Sequence, residues 1–296
     1  MHEPNDGRMA RFALGAAAWA ERWFPDAWVF AALGVAVVAG AALLAGASPA
    51  TTVDAFGDGF WSLIPFTMQM AFVVIGGYVV ATAPVVARLI GRLARIPRTG
   101  RGAITFIAFV SMLTSLLSWG FSLVFGGLLV RALAERRELR MDYRAAGAAA
   151  YLGLGAIWAM GLSSSAAQLQ ANPASMPPGL VAVTGVLPFT STIFLWQSLL
   201  LTACLIAASL AVCWFTAPGE RNARTAEDFG ITEAAAVPPL PPRERPGEWL
   251  EYSPLLALVI GGLGLGWLAH EFASKPAVSA IANLNTYNFL FLTLGI

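Results

Sequence analysis

Residues 102–130 read GAITFIAFVSMLTSLLSWGFSLVFGGLLV, with no Asp, Glu, Lys or Arg among them. Arginines flank the run on both sides: Arg88, Arg92, Arg95, Arg98 and Arg101 before it, and Arg131, Arg136, Arg137, Arg140 and Arg144 after it. An apolar run of this length belongs in lipid, where about 20 helical residues cross the hydrocarbon core. Basic segments are retained on the cytoplasmic side. A single crossing would therefore strand one of the two arginine groups outside. A re-entrant hairpin over 102–130, entering and leaving on the cytoplasmic side, keeps both inside. Its arms would meet near Ser118-Trp119-Gly120, with glycine available for the tight turn. Broken backbone at membrane depth is tolerated where it is buried in protein or lines a cavity. A long tilted helix is the alternative, and the charge pattern favours the hairpin.

Working outward, the rest of the chain supports a polytopic, all-α membrane protein. Hydrophobic residues make up 57% of the 296 and charged residues 12%. Charges are also missing from Ala27 to Val53, Gly59 to Ala87 and Ala145 to Gly219. A soluble fold needs charges on its outer faces, whereas a bilayer penalises each by several kcal/mol. The expected spans are residues 28–47, 60–83, 145–169 and 188–215, beside the hairpin. Residues 1–27 carry Phe12, Ala16, Trp19 and Trp23 on one helical face, as a cytoplasmic interfacial helix stopped by Pro25 would. The N-terminus lacks the basic start of a cleaved signal peptide and is expected inside. Between the first two spans, Ser48 to Gly59 reads as a loop with Asp54 and Asp58. Residues 216–251, with prolines 238, 239, 241 and 242, read as a stiff cytoplasmic linker. From 252 a further crossing begins, and Thr286 opens another. A helix from Thr286 to Ile296 covers about 16 Å, half the core, so the expectation is a chain truncated early in a second half.

The net charge of +1 gives no reason to expect nucleic acid as a partner. Cys204 and Cys213 are too far apart on one helix to pair, and neither belongs to a metal-binding pattern. No cofactor is implied, and no paired carboxylates, H-E-x-x-H or phosphate loop suggests an enzyme. What remain are two clusters of hydroxyls with glycine. One is Thr114, Ser115 and Ser118 with Trp119 and Gly120. The other is Gly161, Ser163, Ser164 and Ser165, well inside a span. Three consecutive serines cannot face one neighbouring helix, since successive side chains are about 100° apart. A local unwinding would let them converge. Half-helix N-termini would then face an anionic substrate, and open carbonyls a coupling cation. Close helix packing through small residues is the competing explanation. Gln69 and Gln197 read as interhelical hydrogen-bond or packing residues.

Several stretches resemble the bacterial short-chain fatty acid transporter family. They are Glu21 to Asp26, Phe56 to Trp61, Phe66 to Ala71, Ser118 to Phe121, Asp142-Tyr143, Tyr151 to Gly153 leading to Gly161-Leu162-Ser163, and Leu284 to Phe289. The resemblance implies a secondary carrier of acetoacetate, butyrate and similar acids in the bacterial inner membrane, coupled to Na⁺ or H⁺. It also implies two inverted halves, each with a hairpin and a broken helix around the substrate, and by analogy with related ion transporters a homodimer. On this chain the hairpin tip falls at Ser118, Trp119 and Gly120, and the broken helix at Gly161, Ser163, Ser164 and Ser165. Two departures bear on affinity and substrate choice: the family pattern has histidine where this chain has Ala159, and asparagine where it has Ser118. The rival expectation is a truncated fragment of such a carrier that does not transport.

Overall fold

A computed structural model of the chain describes residues 8–62, 64–173, 176, 178–231, 248–251 and 253–295. The prolines at 238, 239, 241 and 242 lie outside the described residues. The described residues form two compact units, one over Gly7–Met68 and one from Gln69 onward. Both are all-α. Among the described residues six helical segments are long and apolar enough to cross a bilayer: Ala27–Leu44, Pro49–Thr82, Gly100–Leu117, Tyr143–Ala171, Trp196–Thr216 and Pro254–Ser274. The chain is a multi-pass membrane protein.

The first unit holds α1 (Arg8–Trp23), α2 (Ala27–Leu44), α3 (Pro49–Ser62) and the first turns of α4 (Ile64–Thr82). Asp26 opens α2 by accepting from the Trp28 N–H at 2.9 Å, the usual service of an N-cap carboxylate. No residue of α2 is buried within the structure, as befits a helix apolar on every side in lipid. The segment read from sequence as a loop, Ser48 to Gly59, is instead helical. Pro49 occupies the first helical position, and Ser48 Oγ accepts from the Thr51 N–H at 3.1 Å. A proline start and a serine cap are strong local signals, and they outweigh the two aspartates.

In the second unit, α5 (Pro84–Leu93), α6 (Gly100–Leu117), α7 (Trp119–Ala134) and α8 (Tyr143–Leu152) follow α4. Residues 153–160 continue α8 as a π-helical then a 3₁₀ turn. After the break come α9 (Ser165–Ala171), α10 (Pro178–Thr184) and α11 (Trp196–Thr216), and then α12 (Glu248–Glu251), α13 (Pro254–Ser274), α14 (Ala277–Ile281) and α15 (Leu284–Gly295). Helix α6 is central, packed against α7, α8, α11 and the irregular turn after α8. Ile107, Met112, Phe125, Leu129, Leu133 and Ile157 are almost wholly buried around it. Small residues set the closeness of these contacts, as is usual between membrane helices. A Cβ on Gly153 would stand 2.6 Å from Ser111 O. Ser122 Oγ donates to Ser111 O at 2.7 Å, and Ser111 Oγ donates to Ala150 O.

Helices α6 and α7 fold back on each other, and their far ends return to one place. Arg136 Nη1 donates to Ala94 O and Pro97 O, both at 2.8 Å. Gly100, at the base of α6, stands so near Leu139 that a Cβ would lie 2.7 Å from its carbonyl oxygen. The two arginine groups thus share one end of the helical pair. Asp142 organises that end. It is 2% exposed, caps α8 through the Ala145 N–H (2.9 Å), and accepts from Arg144 Nη2 (2.8 Å) and the Arg224 N–H (3.0 Å). Burial by itself raises its pKa, but the Arg144 guanidinium and the two backbone N–H groups prevail and hold it below the ordinary value.

Candidate functional site

The last turn of α6 is rich in hydroxyls that bond inward. Thr114 Oγ1 donates to Val110 O at 2.9 Å, and Ser115 Oγ reaches Gly153 O at 2.7 Å. Ser118 then leaves the helix with extended backbone (φ −151°, ψ 122°) and starts α7 as its N-cap, Oγ accepting from the Phe121 N–H at 3.3 Å. One serine therefore ends one helix and begins the next. The turn the sequence places at Ser118-Trp119-Gly120 is made by Ser118 alone. Gly120 serves a different purpose. A Cβ there would stand 2.5 Å from Val73 O, so its absence lets α4 lie against the start of α7. The Trp119 ring is half-buried.

The second cluster is a helix break, as the serine run predicts. Gly161 has extended backbone (φ −96°, ψ 171°), and helix resumes only at Ser165. Gly161 allows the break to touch α6, for a Cβ would stand 2.5 Å from Ser115 O and 2.8 Å from Leu116 O. Its neighbour Leu162 donates its N–H to Leu116 O at 2.8 Å. Ser163 Oγ accepts from the Trp119 N–H at 2.9 Å. The α6–α7 turn and the helix break therefore meet at one junction, joined by two hydrogen bonds, with Ser118, Ser163 and Ser164 fully buried. The three serines do not converge as unwinding alone would allow. Ser163 faces α7, Ser164 caps α9 through the Ala167 N–H (3.2 Å), and Ser165 is the first residue of α9, outside these contacts.

Electrostatically the junction is made of helix ends, and among the described residues none of those that form it carries a charge. The start of α7 presents N–H groups without intrahelical acceptors, and the end of α6 presents carbonyls without intrahelical donors, Leu116 O and Leu117 O being met instead by the Leu162 N–H and the Tyr287 hydroxyl. Together they form adjacent regions of positive and negative potential.

Two further residues complete the wall, and sequence reasoning assigned neither a role. Tyr287, 2% exposed on α15, donates its hydroxyl to Leu117 O at 2.7 Å and lies beside the Ser118 and Ser163 hydroxyls. Gln168, 1% exposed on α9, donates Nε2 to Leu162 O (2.7 Å) and to Ile281 O (3.3 Å), while its Oε1 is buried with no partner. A signal for Gln168 existed: it is an amide four residues after Ser164 in an uncharged segment. Tyr287 stands in the sequence only within the family-like stretch Leu284 to Phe289, with no spacing that assigns it a role. Gln69 is an interhelical bridge, as its setting suggests, donating Nε2 to Asn285 Oδ1 at 2.9 Å, while its carbonyl accepts from Asn288 Nδ2 at 2.8 Å. Gln197 is exposed. Among the described residues no three His, Cys, Asp or Glu side chains gather as metal ligands would.

Residues 7–296 match the family model described as short chain fatty acid transporter. A protein of Escherichia coli strain K12, provisionally named a short-chain fatty acid transporter, is 30% identical over 292 residues. A Haemophilus influenzae protein of the same name is 28% identical over 295 residues. Each alignment takes in 98% of this chain and 64% of the relative, so the chain spans about two-thirds of the length of these relatives. No solved structure matches.

Proposed function

The chain belongs to the short-chain fatty acid transporter family, and from that premise we propose that it binds small carboxylates, such as acetoacetate and butyrate, for secondary transport across a membrane. Membership places it among transporters and not among enzymes. The observation that carries the reading is the buried junction of helix ends, Trp119 N–H on Ser163 Oγ and Leu162 N–H on Leu116 O. The N-terminal turn of α7, at Ser118, Trp119 and Gly120, holds a carboxylate by exchange, the Trp119 N–H leaving Ser163 Oγ and the Phe121 N–H leaving Ser118 Oγ for the substrate oxygens. The α6 carbonyls and the hydroxyls of Ser163 and Ser164 offer oxygens to a coupling cation, Na⁺ or H⁺, and Gly161 and Ser165 bound the break. The apolar surroundings take the short alkyl tail, at about 0.8 kcal/mol per buried CH₂.

The α6–α7 pair is then a re-entrant hairpin entering from the cytoplasm, and the chain supplies the first of two inverted repeats. Retention of both arginine groups on one side of a bacterial inner membrane, with the N-terminus inside and two copies associating as a homodimer, completes the proposal. Its support is charge placement and family resemblance.

Uptake of labelled butyrate into proteoliposomes, with and without a sodium gradient, tests it. Saturable uptake that collapses with the gradient is expected for Na⁺ coupling, whereas indifference to sodium removes that cation. Uptake absent from this chain but present in a chain of the relatives' full length would assign transport to the longer protein. Uptake absent from both would overturn the substrate assignment.

A further inference from the structure

Helix α5 carries three distinct stripes. Val86, Ile90 and Leu93 pack against the core around α6 and α7, with Ile90 6% exposed. Val85 and Leu89 are apolar yet 67% and 44% exposed, and Ile96, in the turn that follows, is 56% exposed. Arg88 and Arg92 form the third stripe, with Arg95, Arg98 and Arg101 continuing beyond the helix, all exposed. At about 100° per residue, the exposed apolar stripe lies between the other two. It is about 60° from the arginines and about 90° from the buried face.

Among the described residues none of these arginines is ion-paired, and Arg88 Nε only donates to its own helix at Pro84 O, at 3.4 Å. Segment 84–101 contains no Asp or Glu. The ion pairs among the described residues join Arg136 to Glu138, Arg137 to Glu227, Arg144 to Asp142 and Lys275 to Glu271, and none draws on this segment. Position adds a second constraint. Helix α5 starts directly after α4, which ends a candidate span at Thr82, and α6 begins another at Gly100. Ala83, with extended backbone (φ −61°, ψ 144°), and Pro84 at the first helical position turn the chain between them. The helix therefore lies where two apolar membrane helices, α4 and α6, reach the bilayer boundary on one side.

A helix at that depth with an apolar stripe beside a basic one is matched by a phospholipid, acyl chain against the first and phosphate against the second. We propose that α5 lies in the membrane interface and binds an anionic phospholipid headgroup between Arg88 and Arg92, with Val85 and Leu89 against its acyl chains. The site holds this face of the protein to anionic lipid, independently of what the carrier transports.

Lipid selectivity measured with spin-labelled phosphatidylglycerol and phosphatidylcholine on the reconstituted chain tests the binding. Phosphatidylglycerol should be preferred several-fold. R88Q/R92Q should lower that preference, by up to about fivefold for each arginine removed. R88K/R92K should keep it, since a phosphate accepts a point charge. An unchanged preference in R88Q/R92Q overturns the proposal. So does competition by millimolar inorganic phosphate, which would make the site one for free anions. Should R88Q/R92Q fail to fold, depth decides the matter. In a C204A/C213A background, a fluorophore on Val85→Cys should be quenched by nitroxides on the acyl chains, and one on Ala87→Cys, about 180° from the apolar stripe, should not. Both positions unquenched would place α5 in water or under another protein and end the lipid assignment.

Discussion

Replacing Gly161 with alanine tests whether the site is a single junction. The backbone at Gly161 is extended and open to any residue, so the substitution acts through space alone. The added methyl would stand 2.5 Å from Ser115 O and 2.8 Å from both Leu116 Cα and Leu116 O. Ordinary contact is about 3.5 Å, and every one of these atoms is backbone, which no rotamer change can move. The break must therefore withdraw from α6 by about 1 Å. That stretches the Leu162–Leu116 bond of 2.8 Å and the Trp119–Ser163 bond of 2.9 Å towards rupture. Two such bonds contribute about 1–2 kcal/mol in a membrane protein, and overpacking a tight contact costs a further ~1–3 kcal/mol. The expected loss is about 2–5 kcal/mol, read by denaturant titration in mixed micelles and compared with Gly147→Ala. Gly147 has nothing within 4 Å of its Cβ position and lies on the exposed face of α8, so alanine there should be neutral or should stabilise by up to ~1 kcal/mol. Butyrate uptake should fall in the first variant and persist in the second. If G161A proves as stable and as active as G147A, the close approach of the break to α6 is wrong.

Ser163→Ala leaves the Trp119 N–H without its acceptor; a loss of about 1 kcal/mol or more is expected in the same titration. Ser165→Ala, outside the bonded junction, should stay within ~0.5 kcal/mol of the parent, and equal effects would refute the distinction. Asp142 has a folded pKa below its ordinary value of 3.8, so its contribution is complete above that value. It is lost as pH falls below 3.8 through the folded pKa. Asp142→Asn should be less stable at neutral pH and should show a smaller acid-induced loss; an unchanged pH profile would remove Asp142 from that role. For the pair Gln69 and Asn285, 2.9 Å apart, a double-mutant cycle should return a coupling of about 0.6 kcal/mol and no more than ~1.7. Zero coupling would mean the two side chains bond elsewhere.

Much of the architecture is legible in the chain because lipid leaves few alternatives. A bilayer admits apolar helices and rejects charge, so runs such as Gly102 to Val130 declare themselves without any knowledge of their neighbours. The same applies to local chemistry. Ser118 and the run Ser163 to Ser165 mark interruptions because short hydroxyl side chains cap helices and bond to nearby backbone, and both interruptions occur where expected. Helix α3 reads as a loop because Asp54 and Asp58 obscure the helix start at Ser48-Pro49.

Partnership is what the sequence could not supply. Hydroxyls at Ser118 and Ser163 are 45 positions apart by number, and no spacing rule says that the Trp119 N–H meets Ser163 Oγ. Tyr287 reaches Leu117 across 170 residues, and only the packing of α15 brings it there. Gln168 is an ordinary amide until the fold buries it against Leu162 and Ile281. Composition and local pattern mark the apolar segments and the interruptions at Ser118 and at Ser163 to Ser165, because those depend on a residue and its near neighbours. Which interruptions meet, and which polar atoms remain between them, depends on contacts among distant segments, and only the tertiary structure decides those.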